Sequence, residues 1–308
     1  MKKLPIQQDP FLQRLTHPLL DEKRISVWIQ RLDIIHEELS GNKWYKLSGN
    51  LDTILKNHSD PTIITFGGAF SNHLYSTAAA CSLLSVPSVG IVRGEIPKPL
   101  NSTLQYCESR GMKLIPVSRA AYRDKQALQA EFSDKYKNAV FIPEGGTNSS
   151  AVKACAGIPD NKMRSMDYVC LPVGTGGTMA GVIGGLNPGQ QVLGFSVLKG
   201  DFLSREVKEL VNQTWKEKEF PSWEINTNYH LGGYARIRPE LTGFIQGFYR
   251  RHGILLDPVY TGKMMYGLMD MIRLGCFEED TSICAIHTGG LQGWNGIRER
   301  FNIDPSTF

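Results

Sequence analysis

The chain has 308 residues, of which 41% are hydrophobic and 21% charged, and a formal net charge of +4. That balance belongs to a globular protein with a sizeable core and excludes a disordered or fibrous chain. The basic residues are scattered and do not form a stripe interleaved with aromatics, so the sequence offers nothing to nucleic acid.

At roughly 150 residues per domain, the length predicts two lobes. The six cysteines, at 81, 107, 155, 170, 276 and 284, form no CxxC pair and no short Cys/His spacing. They read as reduced core thiols, with neither a zinc site nor a disulfide framework, so no metal is expected. No apolar segment follows the two N-terminal lysines of MKKLPIQQDPFLQ, and no run approaches the roughly 18 apolar residues of a membrane span. The expectation is a cytoplasmic protein with no membrane contact.

In chain order, ISVWIQRL (25–32) and DIIHEEL (33–39) alternate in polarity and predict two paired strands, a hairpin. SGNKWYKLSGNL (40–51) follows, with Lys43 and Lys46 three apart at the start of a helix. A solvated helix face accounts for two such cations; a lysine buried beside a polar loop is instead a chemical tool. Strand-like apolar runs then alternate with helical stretches: TIITF (62–66), SVGIV (88–92), KLIPV (113–117), AVFIP (139–143), YVCLPV (168–173), QVLGFSV (191–197) and SICAIH (282–287). This alternation predicts βαβ units and mainly parallel sheets. The first four runs build a small lobe, 48–155, and the later ones a large lobe, 1–47 with 156–308. The stretch 199–224 reads as one charged amphipathic helix on the surface.

Ligands of open α/β sheets gather at the carboxyl ends of strands, and three such ends carry unusual loops. TFGGAFSNH brings Gly67, Gly68, Ser71, Asn72 and His73 in front of an Ala-rich helix; Ser71 or Asn72 suits its cap, and two glycines exceed what a cap needs. LPVGTGGTMAG sets Gly174, Thr175, Gly176, Gly177 and Thr178 at a helix start, an anion cradle of backbone N–H groups and two hydroxyls. It is no P-loop, since no Gly-Lys-Ser/Thr follows, and Met179 fills the third glycine slot of a dinucleotide fingerprint. A small phosphorylated cofactor suits it better than a nucleoside triphosphate. The third loop, IHTGGLQGW, holds Thr288; its His287 reads as a packed structural histidine. Tyr234 in HLGGYAR and Tyr260 in LDPVYTGK adjoin glycine turns instead of lying in apolar runs, which suits a site.

With GNKWYKL, GGAFSNH, VGTGGTMAG, GGYA, LDPVYTGK and HTGG in that order, nearly the whole chain resembles the pyridoxal phosphate enzymes that include 1-aminocyclopropane-1-carboxylate deaminase and D-cysteine desulfhydrase. The resemblance implies an α/β, two-domain tryptophan synthase β-like fold, each domain a mainly parallel twisted sheet flanked by helices, and a homodimer. It implies that Lys43 carries the cofactor covalently and Lys46 lies near its phosphate. It likewise places Asn72 against the phenolic oxygen, Ser71 beside the substrate, residues 174–178 around the phosphate, and Tyr234 and Tyr260 as the two active-site tyrosines. Members that open the cyclopropane ring resemble one another in a Glu directly after the second tyrosine and a Leu between His and Gly-Gly; this chain has Thr261 and Thr288. A threonine leaves the pyridine nitrogen unprotonated and the electron sink weaker, sufficient for β-elimination of a thiolate but not for ring opening.

The expectation is a lyase acting on D-cysteine, with Lys43 removing the α-proton. His73, where relatives often have glutamine, leaves β-chloro-D-alanine and D-serine open as substrates. The rivals are the deaminase, a non-catalytic cofactor-binding protein, and a serine hydrolase through Ser71, which lacks the G-x-S-x-G elbow.

Overall fold

The computed structural model describes residues 3–96, 98–216 and 218–308. Two sheets organise the chain. The first has six strands: β1 (Leu12–Arg14), β2 (Ser26–Arg31), β7 (Tyr168–Val173), β8 (Gln191–Ser196), β9 (Ser222–Asn226) and β10 (Ser282–His287), in the order β1-β2-β10-β7-β8-β9. Only the β1–β2 pair is antiparallel. The second sheet has four parallel strands, β3 (Thr62–Gly67), β4 (Ser88–Arg93), β5 (Lys113–Val117) and β6 (Ala139–Ile142), in the order β5-β4-β3-β6.

The strand sequences explain these positions. TIITFG and SICAIH are buried from their second residue onward, as central strands covered on both faces must be. KLIPV is half exposed and carries Pro116, which a sheet tolerates at an edge.

Helices α1 (Pro18–Glu22), α2 (Asn42–Asn57), α3 (Asn72–Leu84), α4 (Ser102–Ser109), α5 (Lys125–Lys135), α6 (Ser149–Cys155), α7 (Gly177–Gly185), α8 (Phe202–Thr214), α9 (Pro239–His252), α10 (Thr261–Arg273) and α11 (Gly293–Phe301) cover the sheets. In α2, Leu47, Leu51 and Ile54 share one face and enter the core formed with β3, α3 and β6. Each such burial stabilises by about 1.5–3 kcal/mol. The expected lobe boundary at 47/48 falls inside this helix. The glycine-rich α7 is buried on all sides because α6 lies against it: a Cβ at Gly181 would stand 2.3 Å from the Cβ of Cys155.

Three expectations are corrected. Residues 33–39 are not a strand: Leu32–Ile34 form a 3₁₀ turn, and Leu32, Ile35 and Leu39 bury at turn spacing. The partner of β2 is instead β1, upstream. The charged helix of 199–224 ends at Thr214, and SWEIN is the outer strand β9, parallel to β8. Five cysteines are buried and free as expected, whereas Cys276 is exposed. Among the described residues no helix is long and apolar enough to cross a membrane.

Candidate active site

The carboxyl ends of β3, β4, β7 and β10 open onto one cavity of about 660 Å³. Of the residues singled out above, Lys43, Ser71, Asn72, His73, Gly174, Thr175, Gly176, Thr178, Tyr234, Tyr260 and Thr288 lie on its wall. Lys46, Gly177 and Thr261 do not.

The cradle is built from backbone. Gly176, at φ 73°, occupies the N-cap of α7 and has no side chain to cap it. The N–H groups of the first turn have no intrahelical acceptor, so they face the cavity as anion donors. Two hydroxyls brace this turn. Thr175 Oγ1 is 2.8 Å from Thr147 Oγ1, and Thr178 Oγ1 accepts from Asn42 Nδ2 at 2.7 Å. A Cβ at Gly177 would stand 2.7 Å from Thr147 Cγ2, so this close approach requires glycine.

The two lysines separate clearly. Lys46 is buried behind the wall, where its Nζ donates to Gly145 O at 2.5 Å and to Thr147 Oγ1 at 2.7 Å. Its charge therefore reaches the cradle through Thr147 and Thr175. Lys43 stands on the wall, and among the described residues no hydrogen bond or ion pair engages its amine. Burial lowers its pKa to about 8; burial first, then the Lys43 charge, lowers Lys46 to about 7. Carbonyl and hydroxyl acceptors surround Lys46 and suit its ammonium, whereas Lys43 becomes the free amine as pH rises through about 8.

The α3 loop combines a cap with a site. Ser71 Oγ accepts from Leu74 N at 3.2 Å, so Ser71 is the cap while also facing the cavity. His73 Nε2 lies 2.8 Å from Thr65 Oγ1. Burial, then the charges of Lys43 and Lys46, hold its pKa well below the ordinary range, so it is a neutral imidazole. Asn72 presses against the third loop: a Cβ at Gly290, φ 88°, would stand 3.0 Å from Asn72 Nδ2.

Tyr234 and Tyr260 meet edge to face, ring centroids 6.0 Å apart. Desolvation at the cleft raises the pKa of both phenols above the usual tyrosine range, although Tyr234 keeps 46% of its surface exposed. Tyr260 is positioned by a residue the sequence reading passed over. The buried carboxylate of Asp257 accepts from Val259 N (2.9 Å), Tyr260 N (3.1 Å), Thr261 N (2.7 Å) and Thr261 Oγ1 (3.0 Å). The Asp-Pro-x-Tyr-Thr turn at the start of α10 was its available signal.

The same bonds correct the reading of Thr261. Its hydroxyl is spent on Asp257, so the threonine that faces the cavity is Thr288 alone of the two. His287 is structural, as expected: Nδ1 accepts from Gly289 N at 3.2 Å, so Nε2 donates to Leu255 O at 2.8 Å. Also missed were Thr147 and Asn42, which brace the cradle, and the wall residues Arg93, Glu144, Arg236 and Arg300.

A backbone cradle for a dianion, an unpartnered amine with a lowered pKa and a facing hydroxyl fit an aldehyde-bearing phosphorylated cofactor. The comparisons agree. Residues 15–289 match the family described as "Pyridoxal-phosphate dependent enzyme". The chain is 32% identical to a putative 1-aminocyclopropane-1-carboxylate deaminase of Pyrococcus abyssi, over 94% of this chain and 89% of that one. It is 31% identical to a mitochondrial bifunctional D-cysteine desulfhydrase/1-aminocyclopropane-1-carboxylate deaminase of Arabidopsis thaliana, over 87% and 73% of the two chains. A solved structure described as an ACC deaminase homologue superposes with a TM-score of 0.79 at 26% identity, covering 94% of this chain and 92% of that one. With the cofactor cradle, the two-sheet fold and this match over most of its length, the chain belongs to the pyridoxal-phosphate dependent enzyme family.

Proposed function

We propose that the protein is a lyase that catalyses β-elimination from a D-amino acid, D-cysteine foremost. The overall reaction is D-cysteine plus water giving pyruvate, ammonia and hydrogen sulfide. The observation that carries this reading is on the wall: Thr288 offers a hydroxyl, and Glu144, on the other sheet's loop, is paired with Lys125 at 3.4 Å. A hydroxyl does not hold a pyridine nitrogen protonated as a carboxylate does, which favours the reaction with the better leaving group.

In this reading residues 174–178 hold the phosphate, with Lys46 supplying charge from behind. Asn72 would hold the cofactor's phenolic oxygen, and Thr288 would serve its ring nitrogen. The bound cofactor supplies an electron sink for the substrate's α-carbon. Ser71 Oγ accepts from Leu74 N and keeps its O–H to donate, and with the N–H groups of Asn72 and His73 at the same helix start it would serve the substrate carboxylate. The neutral amine of Lys43 accepts the α-proton, and the Cβ–S bond breaks with its electron pair leaving on sulfur. The protonated phenols of Tyr234 and Tyr260 donate toward that thiolate.

The second reading, opening of 1-aminocyclopropane-1-carboxylate, is favoured by the names of the relatives above. A steady-state panel of D- and L-cysteine, D-serine, β-chloro-D-alanine and the cyclopropane amino acid separates them. Pyruvate from D-cysteine is expected; 2-oxobutyrate formed faster from the cyclopropane substrate overturns the elimination reading. Borohydride should fix a pyridoxyl group to the peptide containing Lys43. A protein so labelled that turns over none of the panel is a cofactor-binding protein and no lyase.

A further inference from the structure

The cavity contains more positive charge than the elimination reading uses. Arg93 ends β4, Arg236 follows two residues after Tyr234, and Arg300 lies in the last turn of α11. Three separate elements thus bring an exposed arginine to one wall, and each guanidinium is a fixed fork of hydrogen-bond donors for an anion. Near neighbours that point elsewhere are paired: Arg238 reaches Glu240 at 3.4 Å, and Arg298 reaches Asp304 at 3.5 Å. Among the described residues Arg93, Arg236 and Arg300 have no carboxylate partner. Arg93 instead lies over the Tyr122 ring at 5.6 Å, and Arg300 over Phe70 at 5.9 Å and Phe301 at 5.1 Å. Glu144, the carboxylate on this wall, is engaged by Lys125.

The other anions of the site are already provided for. The phosphate has the α7 cradle with Lys46, and the α-carboxylate has the start of α3. Three unpaired guanidinium groups beside them match a third anion, through the charge-assisted and often bidentate bonds that arginine makes with carboxylates.

We propose that Arg93, Arg236 and Arg300 form a subsite for a second anionic group on the substrate, so that the favoured substrate is an amino acid whose β-thioether substituent ends in a carboxylate. The inference rests on the elimination reading. The Cβ–S bond breaks, the sulfur departs with the electron pair as a mercapto-acid thiolate and takes a proton, and water converts the remainder to pyruvate and ammonia.

The test compares S-carboxymethyl-D-cysteine with its neutral isostere S-carbamoylmethyl-D-cysteine on the holoenzyme. The carboxylate is expected to have the higher kcat/KM by about tenfold, a charge-assisted contact against a neutral one, and that ratio should fall toward one in R236Q and R300Q. A ratio near one in the wild type, or one unchanged in both variants, overturns the subsite. A binding arm keeps the two readings apart: D-2-aminoadipate and its 6-amide have the same chain length and no leaving group, and each is titrated against the holoenzyme by cofactor absorbance. Tighter binding of the diacid without turnover of either thioether sinks the elimination and keeps the subsite. Equal binding of acid and amide overturns the subsite whatever the activity.

Discussion

Replacing Asp257 by Asn tests whether the tyrosine pair is held by a buried carboxylate. The side chain keeps its size, but one oxygen becomes a donor. In the native turn both oxygens accept: Oδ2 from Val259 N at 2.9 Å, Oδ1 from Thr261 N at 2.7 Å and Thr261 Oγ1 at 3.0 Å, and both from Tyr260 N at 3.1 Å. The least costly amide orientation keeps the oxygen on the Thr261 side and sets an NH₂ against Val259 N–H. One buried donor is then orphaned, at about 1–3 kcal/mol, and the surviving bonds lose their charge assistance. Burial alone pushes the Asp257 pKa up, so relief of that penalty offsets part of the loss. The net expectation is about 2 kcal/mol, or roughly 4–8 °C in the melting temperature at about 2–4 °C per kcal/mol. Tyr260 lies in this turn, as the N-cap of α10, and a displacement of about 1 Å at a reacting group costs up to about 100-fold in rate. Thermal unfolding and steady-state elimination are measured on the same preparation. A variant that melts with the wild type and keeps its kcat refutes the argument.

Other outcomes follow from the same geometry. Lys43 in the cofactor-free protein should react with an amine-modifying reagent along a curve rising through pH about 8, because burial disfavours the ammonium and frees the amine as pH rises; a midpoint in the ordinary lysine range refutes that. Lys43→Ala should abolish elimination, whereas Lys46→Ala should mainly raise the dissociation constant of the cofactor, read by dialysis and absorbance; the reverse pattern sinks the assignment. Thr147→Val removes the hydroxyl between Lys46 and Thr175 and should also weaken cofactor retention, by several-fold, with little change in kcat of the saturated enzyme. Gly181→Ala, whose Cβ would meet Val152 O at 2.7 Å, should destabilise by about 1–3 kcal/mol, measured by urea unfolding.

The parts legible in the sequence were those whose signal is local. Seven strands announced themselves as apolar runs, the central ones because buried parallel strands need no polar face. The strand β1 is three residues, two partly buried and one exposed, too short to show a period, and β9 alternates only weakly behind a charged helix. At the site, glycines at strand ends were readable because backbone approach leaves a mark on residue type. Thr261 was misplaced for the opposite reason: neighbours along a helix point about 100° apart, so adjacency to Tyr260 gave no shared face. The three wall arginines come from residues 93, 236 and 300, and nothing short of the fold brings them together.

The helix that carries both lysines is anchored at its first residues to one sheet and along its body to the other. Gly41 N donates to Leu32 O at 2.8 Å and Asn42 N to Thr288 O at 3.2 Å, and a Cβ at Gly41 would stand 1.8 Å from Thr288 O, so no play exists at this end. Leu47, Leu51 and Ile54 are embedded with β3 and β6. Were the two sheets to tilt against each other, such an element would act as a lever with its fulcrum at its first residues. At about 1.5 Å per residue, a tilt of about 10° between the sheets carries Ile54 about 3 Å but Lys43 about 0.3 Å. The start of the helix, with Lys43, is therefore the part that such a tilt would displace least, and Ile54 the part that it would displace most.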